Sequence, residues 1–210
     1  MTSKFLKYAG LAASVLLIAF GIGAIATGIA SRGTVHDNLA EEHITGTPDM
    51  TPALTAAAVK ESKLVGITIP TCSVADKPIN DGNRAKCFAS YMRIHALEAT
   101  GGRVYAEMGQ FLTADGKETS DKTLAATDPK TGAPVPNGAR NVWVTETALS
   151  TALNTSFFAN SVALFSIVVG IALLLIGVGL MVLTARWIRE PKAAATKLPT
   201  PKAPIAPVPA

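Results

Sequence analysis

Two uncharged apolar runs, each longer than a soluble domain of this size needs, constrain this chain more than any other feature. From Tyr8 to Ile29 there are 22 residues without a charge, and from Thr147 to Ala185 the chain is again uncharged, with its apolar centre at Val162 to Leu183. A helix rises 1.5 Å per residue and bilayer hydrocarbon is about 30 Å thick, so roughly 20 apolar residues suffice to cross it. Both runs are expected to span, which makes the lipid bilayer the first partner. Lys4 and Lys7 followed by Gly28-Ile29-Ala30 also resemble a signal peptide with its cleavage site. The apolar stretch is longer than the usual 7 to 15 residues of such a signal, and an uncleaved anchor is the preferred reading.

Basic residues set the expected orientation. Lys4 and Lys7 precede the first run, and Arg186, Arg189, Lys192, Lys197 and Lys202 follow the second against the single acid Glu190. The segment between, Arg32 to Ser156, holds 12 basic and 14 acidic residues. Cytoplasmic flanks carry the lysines and arginines, so both termini are expected in the cytoplasm of a cell-membrane protein and the middle outside. Five parts follow: a cytoplasmic N-terminus at 1–7, a first transmembrane helix at 8–30, an extracytoplasmic domain at 31–156, a second transmembrane helix at 157–185, and a disordered cytoplasmic Pro/Ala/Lys-rich tail at 186–210. The basic excess belongs to the tails, where it meets anionic headgroups, and no nucleic-acid partner is implied.

Cys72 and Cys87 both fall in the segment placed outside. In an oxidising compartment a lone pair is expected to form a disulfide, worth roughly 3 kcal/mol for a loop of this size. Buried free thiols are the alternative. Zinc would need further Cys or His ligands that the neighbourhood does not supply.

Small residues recur every seven positions in both runs: Ser14, Gly21 and Gly28 in the first, and Ala163, Gly170, Gly177 and Thr184 in the second. A seven-residue repeat keeps them on one helix face, and small faces let helix backbones approach where lipid offers no hydrophobic drive. The two stripes are expected to face each other in an antiparallel pair, unless they reflect only the abundance of Gly and Ala in membrane helices. Phe5, Tyr8 and Trp187 fit an interfacial belt. Neither run holds an ionisable residue of the kind that marks proton relays or voltage sensors.

The fold class expected is an all-α membrane protein with a mainly helical, disulfide-closed external domain. The first helix is expected to continue or restart through Val35 to Ile44, with Asp37, Glu41 and Glu42 on its solvated face. Thr51-Pro52 reads as a helix start leading through Ala53 to Val65, and Asp81 as the cap of a helix from Gly82 to Ala99 stopped by Gly101-Gly102. Cys87, Phe88, Tyr91 and Ile94 form a core stripe on that helix at helical spacing. Val104 to Leu112 fits helix and strand, with helix preferred. Thr113 to Gly138, rich in Asp-Gly, Asp-Pro, Thr-Gly and Asn-Gly, reads as a long surface loop. From Asn141, Val142, Leu149, Leu153 and Phe157 fall near one face of a helix that enters the second span without a breaker.

Four peptides carry a resemblance to a known family: MRIHALEATGG at Met92 to Gly102, YAEMGQFLTADGKETSD at Tyr105 to Asp121, DPKTGAPVPNGARNVWVTETALSTALN at Asp128 to Asn154, and FSIVVGIALLLIGVG at Phe165 to Gly179. The segment resembles an uncharacterised family of actinobacterial two-span membrane proteins often named aromatic ring-opening dioxygenase. That name implies ferrous iron and cleavage of a catechol. Such iron takes two histidines and a carboxylate on one face of the metal. His36 and His43 lie two helical turns apart, and His95 with Glu41, Glu42 or Glu98 is not demanded by any spacing. The acid-rich Asp115 to Asp121 only faintly suggests calcium.

The residues themselves therefore favour a non-catalytic protein with no cofactor, whose external domain contacts a membrane or envelope protein. The segment around Trp143 beside the loop is one candidate surface. A homo-oligomer is left open. An iron dioxygenase and an accessory subunit of a transporter or channel are the alternatives.

Overall fold

The computed structural model describes residues 2–189; of the tail expected at 186–210, residues 186–189 are helical and the remainder lies outside the described residues. Four helices dominate: α1 (Thr2–Glu41), α2 (Pro52–Glu61), α3 (Gly82–Ala99) and α4 (Gly138–Arg189). Two short strands, β1 (Phe111–Leu112) and β2 (Glu118–Thr119), lie between α3 and α4. α1 and α4 each contain a segment long and apolar enough to cross a membrane. At 52 residues, α4 is about 78 Å long, far more than a bilayer needs.

α1 runs without a break from the apolar segment through Val35, because no proline or glycine pair interrupts 40 residues. It ends at Glu41, and His43 then takes a left-handed φ of 50° that turns the chain back. α2 begins as Thr51 and Pro52 dictate: the Thr51 hydroxyl accepts from Leu54 N–H, and proline occupies the first turn, where a missing donor costs nothing. It stops at Glu61, short of Val65, with Lys63 at φ 54° closing it. α3 spans Gly82–Ala99, capped by the Asp81 carboxylate accepting from Arg84 N–H at 2.9 Å.

The core of the domain forms where α1, α3 and α4 meet two irregular segments. Leu39, Met50, Val74, Ile79, Phe88, Tyr91 and Leu153 are buried together. The segments 44–50 and 74–79 satisfy one another's backbones: Gly46 N–H donates to Lys77 O, Asp76 N–H to Gly46 O, and Ile79 N–H to Ile44 O, all within 3.0 Å. Gly46 is required here, since a Cβ would collide with the Val74 carbonyl. The Cys72–Cys87 disulfide ties the connector to α3, and Tyr91 Oη donates to Cys72 O one turn further on, at 2.5 Å. Cys87, Phe88, Tyr91 and Ile94 are all buried.

Three expectations need correction. Val104 to Leu112 is not a helix: a 3₁₀ turn at Tyr105–Glu107 leads into β1, which pairs antiparallel with β2 in the register Phe111↔Thr119 and Leu112↔Glu118. The fold is therefore predominantly helical rather than all-α. Thr113 to Gly138 is also more than loop, because β2 lies within it and Phe111↔Pro136 and Thr127↔Pro134 bridge its ends. On α4, Leu153 is buried and Leu149 packs against the core as expected, whereas Val142 is 39% exposed and Trp143 and Glu146 take the inward positions above them.

Candidate functional site

Two places on α4 gather the residues of interest. The first is its contact with α1. On α1 the buried positions between Leu11 and Ala30 are Ser14, Gly21 and Gly28, and on α4 beyond Leu153 they are Ala163, Gly170, Gly177 and Thr184. They meet one another. A Cβ added to Gly21 would lie 2.7 Å from Gly170 O, and one added to Gly170 would lie 2.7 Å from Gly21 O. A Cβ at Gly28 would lie 2.7 Å from Ala163 O, and one at Gly177 would lie 2.8 Å from Ile18. Gly10, four residues before Ser14 and outside the seven-residue repeat, faces Thr184. Ser166 Oγ donates to Ala24 O across the contact at 3.0 Å, and the Ser14 hydroxyl turns back to Leu11 O. Lys7 Nζ, lying over the Trp187 ring, donates to Trp187 O at 2.7 Å.

The second place is where α3 lies against the N-terminal half of α4. The helices run in opposite directions: Gly82 packs on Phe157 and Asn160, Arg93 reaches Glu146, and Thr100 meets Trp143. Trp143 is buried, its indole N–H donating to Arg103 O at 2.7 Å and lying 3.3 Å from the Thr100 hydroxyl. It is therefore a packing residue of the domain, while Val144 beside it in the same segment is 55% exposed. The Arg93 guanidinium stacks 4.1 Å above its ring.

Glu146 is 3% exposed. Ser150 Oγ donates to its Oε1 at 2.7 Å, Thr147 Oγ1 lies 3.3 Å from Oε2, and Arg93 Nη1 stands 3.6 Å from Oε2. A buried carboxylate is tolerated when it is paired and hydrogen-bonded in this way. Around it an open groove of about 650 Å³ runs between the helices, lined by Ser90, Arg93, Thr151, Asn154, Thr155 and Phe158 among others. Sequence reasoning passed over Glu146. Its signal was its isolation, since it is the one charged residue between Arg140 and Arg186.

The histidines do not converge. His36 Nδ1 lies 3.2 Å from the adjacent Asp37, and His95 Nε2 lies 3.0 Å from Asp49. Among the described residues no group of three His, Cys, Asp or Glu side chains could hold a metal ion, so the donor set does not fit the non-haem iron that the family resemblance implies. Asp115 pairs with Lys117 at 2.7 Å, and Asp121 accepts from the Thr123 hydroxyl and N–H. In the outer lobe, the segment between α3 and α4 that holds β1 and β2, Arg103 binds Glu118 through two bonds at 2.7 and 2.9 Å, holding the Glu118 carboxyl below the usual carboxylate range.

Comparison with family models, with curated proteins and with solved structures finds no match to this chain.

Proposed function

We propose that the chain is a two-span protein of the cell membrane, with antiparallel transmembrane helices, both termini in the cytoplasm, and residues 31–156 held outside as a non-catalytic partner-binding domain. One observation carries the membrane reading. In the apolar parts of α1 and α4 the small residues are buried and the large ones face outward: Phe20 is 67% exposed, Phe165 68% and Leu175 64%. In water this arrangement would waste the hydrophobic effect, whereas in lipid, where helices associate through close backbone contact, it is the stable one. The Cys72–Cys87 bridge supports an oxidising compartment for the domain, and the basic tails support cytoplasmic termini.

The partner-binding reading rests on rigidity. α4 continues from the domain into the apolar segment without a break, so whatever docks on the domain is held at fixed height and orientation above the bilayer. Exposed apolar side chains suited to docking are Leu124 and Tyr105 in the outer lobe and Val65 after α2. The resemblance to actinobacterial two-span membrane proteins agrees with this reading, while the iron chemistry in that family's usual name lacks a ligand group. Two experiments test the proposal. The protein should stay with membranes washed at alkaline pH, and release into the wash would end the two-span reading. A photo-crosslinker at Leu124 should capture one discrete membrane or envelope protein in living cells; no adduct from Leu124, Tyr105 or Val65 would remove the partner-binding reading.

A further inference from the structure

The geometry points to the groove between α3 and α4 as a seat for the headgroup of an anionic phospholipid from the outer leaflet, an inference that rests on the two-span reading. α3 places Lys86, Ser90 and Arg93 at i, i+4 and i+7, on one face and within about 10 Å along the axis. Arg93 lines the groove and is half exposed into it, while Lys86, one turn before Ser90 and next to the groove rather than lining it, holds its ammonium 4.3 Å from the centre of the Phe157 ring. Between them α4 offers Thr151, Asn154 and Thr155. The Ser90 and Thr155 hydroxyls donate to the backbone carbonyls of Lys86 and Thr151, and Asn154 gives one amide hydrogen to Ser150 O, so the donors left for a phosphodiester are the two cations, the Thr151 hydroxyl and the second amide hydrogen of Asn154, of which the charge-assisted ones are the strong kind.

Glu146 does not defeat this arrangement. Its carboxylate is already engaged by Ser150 and faces Arg93, so it holds the guanidinium on the groove side of Trp143. What selects a lipid over a free anion is the floor. The α4 face that lines the groove as Thr151, Asn154 and Thr155 continues as Phe158, Val162 and Phe165, which are 67%, 48% and 68% exposed. A phosphate in the groove would have this apolar strip directly beneath it, where acyl chains attached to the headgroup would lie.

The test uses the full chain in mild detergent, titrated with phosphatidylglycerol or phosphatidylcholine, with bound lipid counted by native mass spectrometry. Phosphatidylglycerol should be preferred, and Lys86→Gln and Arg93→Gln should each weaken its binding about fivefold, the effect of one basic residue at an anionic surface. Arg93→Lys should retain most of the binding, and Lys130→Gln, in the outer lobe, should change nothing. Lys86 is exposed, so its variant keeps the test readable if Arg93→Gln fails to fold. Equal binding of the two lipids would overturn the proposal, as would an equal loss in Lys130→Gln. Competition by glycerol phosphate as strong as by the lipid would mean a free-anion site instead. A chain that needs no detergent to stay in solution would sink the two-span reading and this inference together, whereas a detergent-dependent chain without lipid preference sinks this inference alone.

Discussion

Trp143 shows how one side chain joins the two lobes of the domain. Its ring supports Arg93 and its N–H reaches the backbone carbonyl of Arg103, so α4, α3 and the turn after α3 are fastened at one point. Trp143→Phe removes the donor and leaves a smaller ring in a fully buried place, while the Arg103 carbonyl keeps only the Thr100 hydroxyl. It should cost about 1–2 kcal/mol, read as a lower melting temperature, and an unchanged melt would show the bond to be dispensable. Carboxylates give the domain a pH dependence. Hydrogen bonding to Thr47 lowers the pKa of Asp49, and Arg103, Lys117 and Thr123 do the same for Glu118, Asp115 and Asp121 respectively. Each of these groups ionises more readily folded than unfolded, so its stabilisation is present above the ordinary carboxylate range and lost as pH falls through the lowered values. The melting temperature should be level near neutrality and fall below about pH 4. A melt that rises on acidification would contradict these pairings.

At the scale of elements, the α1–α4 contact depends on which glycine is changed. Gly21 has the Gly170 carbonyl and Leu174 where a side chain would go, whereas Gly23, two residues on, has nothing within 4 Å. Gly21→Leu should cost about 1–3 kcal/mol through overpacking and lower the folded yield, while Gly23→Leu should be tolerated. Equal behaviour of the two would show that the stripe does not hold the helices. Reduction of Cys72–Cys87 should lower the melting temperature of the domain, because roughly 3 kcal/mol of restriction on the unfolded chain is removed. An unchanged melt under reductant would assign the connector's position to Tyr91 and the core alone. These elements are legible in the sequence where the signal is local and repeated: the Asp81 cap, the Thr51-Pro52 start, the stripe from Cys87 to Ile94. They are not legible where long-range pairing decides. Phe111 and Leu112 become strand because residues 118, 119 and 136 lie beside them, which no periodicity within 103–112 records. The inward position of Trp143 rather than Val142 is fixed by Thr100 and Arg103, 43 and 40 residues away in the chain. Glu146 escaped for the same reason, since its partner Arg93 lies on another helix.

For the whole molecule, length and burial together define the arrangement. α1 at 40 residues and α4 at 52 both outrun the roughly 20 that cross a bilayer, and the surplus of each packs into the domain: Leu39 at one end of α1, Trp143 and Leu153 at one end of α4. Domain and apolar segments are thus parts of the same two rods, which is why the proposed lipid groove sits at their junction. The central claim is that residues 31–156 lie outside a membrane whose cytoplasmic side holds both ends of the chain. Its most direct measurement is labelling of intact cells with a membrane-impermeant thiol reagent, using single added cysteines beside the native bridge. Lys122→Cys, exposed in the outer lobe, should label at once, while Lys4→Cys and Lys202→Cys should label only after permeabilisation. Labelling of the terminal cysteines in intact cells, with Lys122→Cys protected, would invert the topology and contradict the account.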